Sequence, residues 1–245
     1  MSAPFPEAPA FLTARPFAHR GLHGRGRSEN GMAAFDAAIE GGFGIECDVR
    51  LSRDGVPMVF HDATLARMTG ADGRMDARAA AELDALRLPD GGAIPRLSTL
   101  LARTGQATPL LIELKVDGQR VGPRVSQLCR AVAEALEPWG GAPVAIMSFN
   151  PRAVRWFARR RPEQARGLVI TAHDKGRWRG RIERALALWL AKPDFLACDI
   201  RDLPSLGRHA RRAGLPVLSW TVRTDDQRAT ARAFADQIIF ERVDD

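Results

Sequence analysis

Short apolar runs alternate with helix-length amphipathic stretches along the whole chain, and this alternation restricts the fold more than any other feature. The runs are 17–21 (FAHRG), 44–51 (GIECDVRL), 110–116 (LLIELKV), 144–149 (VAIMSF), 167–171 (GLVIT), 195–200 (FLACDI), 216–222 (PVLSWTV) and 237–241 (QIIFE). Helical patterns lie between them at 31–41, 97–104, 121–137, 151–161, 178–191, 203–213 and 224–235. Asn150-Pro151 reads as a helix start, with Asn as the cap and Pro at the first helical position. Thr224-Asp225-Asp226 reads as another, its acids at the positive end of the helix dipole. Eight strands, with a helix after each of the first seven, in a chain of 245 residues suit a (β/α)8 TIM barrel. A doubly wound open sheet is the alternative, but no G-x-G-x-x-G follows the first strand. No Pro/Ser-rich linker divides the chain, so residues 1–245 read as a single domain.

One stretch interrupts the alternation. Ser52-Arg53-Asp54-Gly55 reads as a hairpin turn leading into Val56–His61. Residues 62–96 then hold short polar pieces, with a helix expected near Ala77–Leu86. This small insertion after strand 2 would sit on the C-terminal rim of a barrel, beside an active site.

Composition excludes several classes. Apolar residues make up 45% and charged residues 27% of the chain, an ordinary balance for a soluble globular protein. No run of about 18 apolar residues is present, so no membrane insertion is expected. Met1 to Pro16 lacks the basic start and apolar centre of a signal peptide. Cys47, Cys129 and Cys198 are odd in number and fall in strand or helix patterns, as expected of small buried thiols in a reducing cytoplasm. The formal net charge is +7, and among 36 basic residues only Lys115, Lys175 and Lys192 are lysine. Arginines cluster at 159–161, at 177, 179, 181 and 184, and at 208, 211 and 212. Such clusters suit anionic lipid or nucleic acid, and equally a solvated helix face. The chain has no tyrosine and no aromatic-and-basic strand motif of a nucleic-acid module, so no nucleic-acid partner is expected.

Reactive side chains crowd the ends of the first three strands. Ile45, Cys47 and Val49 alternate with Glu46 and Asp48, so on a strand the two acids share one face and Cys47 takes the other. Two like charges on a buried face are unfavourable without a cation. Glu113 and Lys115 also stand two apart, as an ion pair or as site residues. Glu46, Asp48 and Glu113 are hard oxygen donors that suit Mg²⁺ or Ca²⁺. Arg20 and Lys115 suit a phosphate, the first as a fork and the second as a point charge. His19 and His61 suit general acid–base work near neutral pH. His173 and His209 have no such company and read as surface residues, while His23 follows strand one and stays open.

The chain resembles the glycerophosphodiester phosphodiesterases, within the superfamily of phosphatidylinositol-phospholipase-C-like barrels. The likeness rests on Ala18-His19-Arg20-Gly21, Ser28-Glu29-Asn30, Glu46-Cys47-Asp48-Val49, Asp54-Gly55, His61-Asp62, Glu113-Leu114-Lys115 and Trp220-Thr221-Val222. Leu65, Arg67, Thr69 and Gly70 in the insertion, and Ile94-Pro95, also fit in order and spacing. The resemblance implies a (β/α)8 barrel that hydrolyses glycerophosphodiesters, such as glycerophosphocholine or glycerophosphoethanolamine, to sn-glycerol 3-phosphate and an alcohol. It implies one divalent cation on Glu46, Asp48 and Glu113, and His19 with His61 as the acid/base pair. Arg20 and Lys115 would hold the phosphate, Trp220 would line the glycerol side, and Glu29 and Asn30 would support the site from behind. A cyclic phosphate formed by the neighbouring glycerol hydroxyl is the implied intermediate. A lysophospholipid or sphingomyelin phospholipase D-type enzyme on the same fold, or a non-catalytic phosphodiester or nucleic-acid binder, are the alternatives.

Three positions depart from the family pattern. Gly31 replaces a Thr after Glu29-Asn30, a local loop change. Arg223 replaces the Asn after Trp-Thr-Val. Phe240-Glu241-Arg242-Val243 replaces Thr-Asp-x-Pro, for which an altered pocket floor or C-terminus is expected.

Overall fold

A computed structural model describes residues 9–116, 123–171, 185–212 and 214–242. In chain order the elements are α1 (Phe11–Ala14), β1 (Phe17–Ala18), α2 (Met32–Glu40), β2 (Gly44–Leu51), β3 (Pro57–Val59), α3 (Ala66–Thr69), α4 (Ala80–Asp84), α5 (Leu97–Thr104), β4 (Leu110–Leu114), α6 (Pro123–Leu136), β5 (Val144–Ser148), α7 (Pro151–Arg160), β6 (Ala165–Ile170), α8 (185–191), β7 (Phe195–Asp199), α9 (Leu203–Arg212), β8 (Val217–Val222), α10 (Asp225–Phe234) and β9 (Gln237–Phe240). Eight strands are parallel and pair in the order β1-β2-β4-β5-β6-β7-β8-β9, and β9 pairs back onto β1 to close a barrel. β3 is the exception, antiparallel to β2, with Val49 opposite Val59.

Side-chain alternation along each strand separates two apolar layers. Phe17, Leu111, Ala145, Met147, Val169, Phe195, Ala197, Leu218 and Ile239 fill the barrel. Ile45, Cys47, Val49, Ile112, Leu114, Ile146, Leu168, Cys198 and Val217 lie outside it, beneath the helices. Strands covered on both faces read as near-continuous apolar runs, which is why the eight runs stand out in the sequence. At the N-terminal mouth, α1 packs Leu12 into the inner layer with Phe11 beside it. Toward the C-terminal mouth the inward positions turn polar, at His19, Glu46, Asp48, Glu113, Lys115, Asp199 and Glu241.

Element ends follow local chemistry. The Asn150 side chain accepts a hydrogen bond from the Arg152 N–H at 3.0 Å and starts α7. Thr224 and Gln227 form a reciprocal capping box at α10. The first strand is shorter than the pattern 17–21, because Arg20 (φ 56°) and Gly21 (φ 80°) leave extended geometry. A Cβ at Gly21 would come within 2.9 Å of Ala34 and Phe35, so glycine lets the chain turn tightly onto α2.

The stretch after β3 holds three short helical pieces, the last of them within Ala77–Leu86, where a helix is expected. They are α3, a 3₁₀ turn at Met75–Ala77 and α4. α4 begins where the Ala80 N–H donates to Asp54 Oδ1 at 2.9 Å. Met58, Phe60, Leu65, Met75, Leu83 and Ile94 form a small apolar cluster beneath these pieces.

Trp178 and Ile182, which with Leu186, Trp189 and Leu190 make an apolar stripe at helical spacing in the sequence, lie outside the described residues, as do His173, the arginines at 177, 179, 181 and 184, and the side chains of His209, Arg211 and Arg212. No helix among the described residues is long and apolar enough to cross a membrane. The three cysteines are free and buried.

Candidate active site

Strand register brings the acids together. Asp48 on β2 stands directly opposite Glu113 on β4, and Glu46 lies one inward position deeper. One oxygen from each of Glu46, Asp48 and Glu113 falls within 4.8 Å of the others, and all three residues are buried. Glu46 Oε1 is buried without a hydrogen-bond partner, while Oε2 accepts the Arg20 backbone N–H at 3.0 Å. Burial drives the Glu46 carboxyl well above its usual range, and Asp48 and Glu113 add to the shift. Burial likewise raises Glu113. Asp48 behaves differently: burial pushes it up, but Lys115 and Arg20 outweigh that and hold it far below the usual carboxylate range. A triad of hard donors with an orphaned buried oxygen fits a divalent cation.

Two cations flank the acids. Lys115 Nζ sits 3.0 Å from Asp48 Oδ1 and 2.7 Å from Glu113 Oε1. Burial works against its charge, but Asp48 and Glu113 outweigh it and raise the ammonium pKa. Arg20 places Nε 3.2 Å from Asp48 Oδ2 and donates from Nη1 to Glu29 Oε1 at 2.9 Å. Asn30 completes the support: its Nδ2 donates to Asp48 Oδ2 at 2.9 Å, and its Oδ1 accepts the Asp48 N–H at 3.2 Å. Arg20 and Asn30 both hold left-handed backbone, with φ 56°, and the Asn30 N–H donates to the Arg20 carbonyl at 2.9 Å. Non-glycine residues in that region store strain, which concentrates at functional sites.

Each histidine is held by a carboxylate. His19 Nδ1 meets Glu241 Oε1 at 2.5 Å, and its Nε2 lies 3.8 Å from Glu46 Oε2. His61 Nδ1 meets Asp62 Oδ1 at 2.7 Å. A carboxylate at Nδ1 makes that nitrogen the donor and leaves Nε2 free to accept a proton. Burial lowers the pKa of both rings from 6.5, against the pull of the neighbouring carboxylates. Arg67 first, then His61, holds Asp62 down at about 2.

His19, Arg20, Glu46, His61, Glu113 and Lys115 line a cavity of about 480 Å³ at the C-terminal mouth, with Met147, Phe149, Val169, Ile200, Trp220 and Ile239 as its apolar wall. Trp220 donates Nε1–H to the Ala197 carbonyl at 3.1 Å and meets Phe149 edge to face, ring centres 5.5 Å apart.

The eight residues predicted as catalytic, substrate-binding or metal-ligating therefore converge at one mouth, with Glu29 and Asn30 behind them. Cys47 faces the outer layer, away from the acids. Sequence reasoning did not find the partners of the histidines. Glu241 follows the inward positions Gln237 and Ile239, so period-two alternation on the last strand could have pointed to it. Asp62 adjoins His61, and adjacency was the available signal. His23, left open by the sequence, lies with Nε2 3.9 Å from Glu241 Oε1. The departures at 223 and 241 are physically linked. Arg223 Nε donates to Glu241 Oε2 at 2.6 Å, while Phe240 turns outward onto Phe43. Glu241, held by Arg223, thus supports His19, while Phe240 packs in the outer layer.

Residues 19–245 match the family described as glycerophosphoryl diester phosphodiesterase. A glycerophosphodiester phosphodiesterase of Caldanaerobacter subterraneus is 29% identical over 233 residues, covering 91% of each chain. Among solved structures, an Oleispira antarctica phosphodiesterase in complex with the product sn-glycerol-3-phosphate is 26% identical, with a TM-score of 0.76 over 94% of this chain and 93% of that one. The glycerophosphodiester phosphodiesterase of Thermotoga maritima is 25% identical, with a TM-score of 0.72 over 91% and 92% of the two chains.

Proposed function

This chain belongs to the glycerophosphoryl diester phosphodiesterase family, and we propose that it hydrolyses glycerophosphodiesters such as glycerophosphocholine or glycerophosphoethanolamine to sn-glycerol 3-phosphate and an alcohol, using one divalent cation, Mg²⁺ or Ca²⁺. The observation that carries the reading is the meeting of three buried acids, two cations and two carboxylate-held histidines at one barrel mouth. In this reading the chain is one barrel domain, with residues 62–96 as its cap. Its three buried thiols suit a reducing cytoplasm.

Glu46, Asp48 and Glu113 would hold the cation. Bound there, it supplies positive charge against the negative charge that builds on phosphorus-bound oxygens. Arg20 and Lys115 bind the phosphodiester, and Trp220 with its apolar neighbours receives the glycerol. One histidine, neutral and with Nε2 free, takes the proton of the glycerol 2-hydroxyl as that oxygen attacks phosphorus. The other, protonated, gives its proton to the departing alkoxide. A cyclic phosphate and an alcohol result. Water then opens the ring with the two roles reversed, restoring both protonation states. The internal nucleophile is already held beside phosphorus, which lowers the barrier through proximity.

The test is release of sn-glycerol 3-phosphate from both substrates, with and without chelator. Activity should vanish with EDTA, return with Mg²⁺ or Ca²⁺, and be lost in Glu46→Ala. Full activity in EDTA or in Glu46→Ala would overturn the metal assignment.

A second reading takes a lipid-borne substrate, a lysophospholipid or sphingomyelin. It draws on Leu186 and Trp189 of α8, large apolar side chains 60% and 71% exposed. Exposed apolar side chains beside basic sequence suit a membrane surface. Co-sedimentation with anionic liposomes together with turnover of lysophospholipid would favour this reading, and turnover of glycerophosphocholine alone would exclude it.

A further inference from the structure

Resting on that reading, we propose that Arg67, outside the catalytic pocket, is a positioning residue that ties the phosphate-binding Arg20 to the acid/base His61. Arg67 lies on α3, in the stretch after β3. Its guanidinium grips two carboxylates at once. Nη2 and Nη1 donate to Glu29 Oε1 at 2.6 Å and Oε2 at 3.0 Å. Nε and Nη2 donate to Asp62 Oδ2 at 2.5 Å and Oδ1 at 3.1 Å. Each carboxylate passes the constraint inward. Glu29 Oε1 also accepts Arg20 Nη1 at 2.9 Å, and Asp62 Oδ1 holds His61 Nδ1 at 2.7 Å. Arg20 in turn lies against Asp48.

The chemistry of the fork sets what its loss does. Glu29 and Asp62 share one nitrogen of Arg67, so the two acids stand close together. Without a cation between them they repel. Glu29 then draws away from Arg20, and Asp62 releases the Nδ1–H of His61. A lysine would restore charge but not the planar fork that meets both acids in two-point contact. Arg67 is 49% exposed, and exposed ion pairs add little to fold stability. Its effect therefore falls on geometry inside the pocket.

The variants Arg67→Ala, Arg67→Lys and Glu29→Ala/Asp62→Ala, with and without Arg67→Ala, separate positioning from mere support. With Mg²⁺ and glycerophosphocholine, Arg67→Ala should lower kcat by about 10- to 100-fold and raise KM, a loss typical of residues that orient a site from behind. Its Tm should move by no more than about 2 °C, and Arg67→Lys should recover only part of the loss. In the Glu29→Ala/Asp62→Ala background, Arg67→Ala should add less than about twofold, the mark of residues that act through one another. The Nδ1–H proton signal of His61, identified by its loss in His61→Asn, should be present in the wild type and absent in Arg67→Ala. Kinetics within about twofold of wild type in Arg67→Ala, its full effect persisting in the double background, or an unmoved His61 signal would each overturn the proposal. A wild type that hydrolyses no glycerophosphodiester would overturn the functional reading instead, and the His61 signal would still decide the role of Arg67.

Discussion

Glu46 carries an uncompensated cost at the barrel mouth. It is fully buried, one oxygen has no partner, and burial with two acid neighbours raises its pKa well above 4.5. A folded-state pKa raised above the unfolded value makes the folded state the tighter proton binder. Its contribution is therefore favourable below about pH 4.5 and is lost as pH rises through the folded value. A bound cation replaces that proton, so its stabilising effect should grow with pH. We expect Mg²⁺ or Ca²⁺ to raise Tm more at pH 7.5 than at pH 5, and Glu46→Gln to abolish the gain. The same substitution should raise the metal-free Tm at pH 7.5. One kcal/mol of relief corresponds to about 2–4 °C in a chain of this size. Thermal scans with EDTA and with metal at the two pH values check all three. A metal increment equal at both pH values would contradict the linkage. At this scale the sequence was informative, because like charges at i and i+2 on an apolar strand already demand an explanation. It placed Arg67 in the family pattern but could not pair it, because its side-chain partners lie 38 and five residues away.

The strands add what single residues lack: a ring that makes distant segments neighbours. β8, β9 and β1 are consecutive in the ring, and their C-terminal ends deliver Arg223, Glu241 and His19 in that order. Glu241 and His19 are 222 positions apart in sequence, so no local pattern pairs them, although the eight strands themselves were legible to within a few residues. His19 first, then His23 and Arg223, outweigh burial and hold Glu241 far below the usual carboxylate range, so it is ionised at any working pH. Glu241→Gln keeps the shape and changes the proton logic. The amide can rotate to donate to Nδ1, which forces the proton onto Nε2 and removes the free base. Loss of the orienting carboxylate in a comparable acid–histidine pair costs up to about 10⁴ in kcat, and we expect at least about 10² here, with KM changing little. Arg223→Ala leaves the carboxylate in place and should cost less than about tenfold. Steady-state kinetics on glycerophosphocholine rank the two. Equal losses would mean that Arg223, not the carboxylate, sets the orientation of His19.

On the scale of the whole molecule, the barrel separates stability from chemistry along its axis. The polar inward positions gather at the C-terminal mouth, while the opposite mouth is apolar and closed by α1, with Leu12 fully buried against Phe17 and the inner layer. The alternation of strands and helices announced the barrel. It did not announce this closure, because α1 is only four residues long and shows no helical periodicity. The arrangement predicts that damage at one mouth does not spread to the other. Leu12→Ala removes buried methyl groups from a packed layer that cannot fully collapse, a change that costs about 2–5 kcal/mol. Its urea midpoint should fall accordingly, while kcat and KM measured well below that midpoint stay within about twofold of wild type, since conservation of the N-terminal face of such barrels serves stability rather than chemistry. Glu46→Gln should do the reverse, ending turnover while the metal-free fold holds or gains. The paired urea and kinetic measurements test the separation. A Leu12→Ala enzyme that unfolds at the wild-type midpoint would show that α1 is not part of the core, and one that folds normally but loses activity would show that the two mouths are coupled through the barrel.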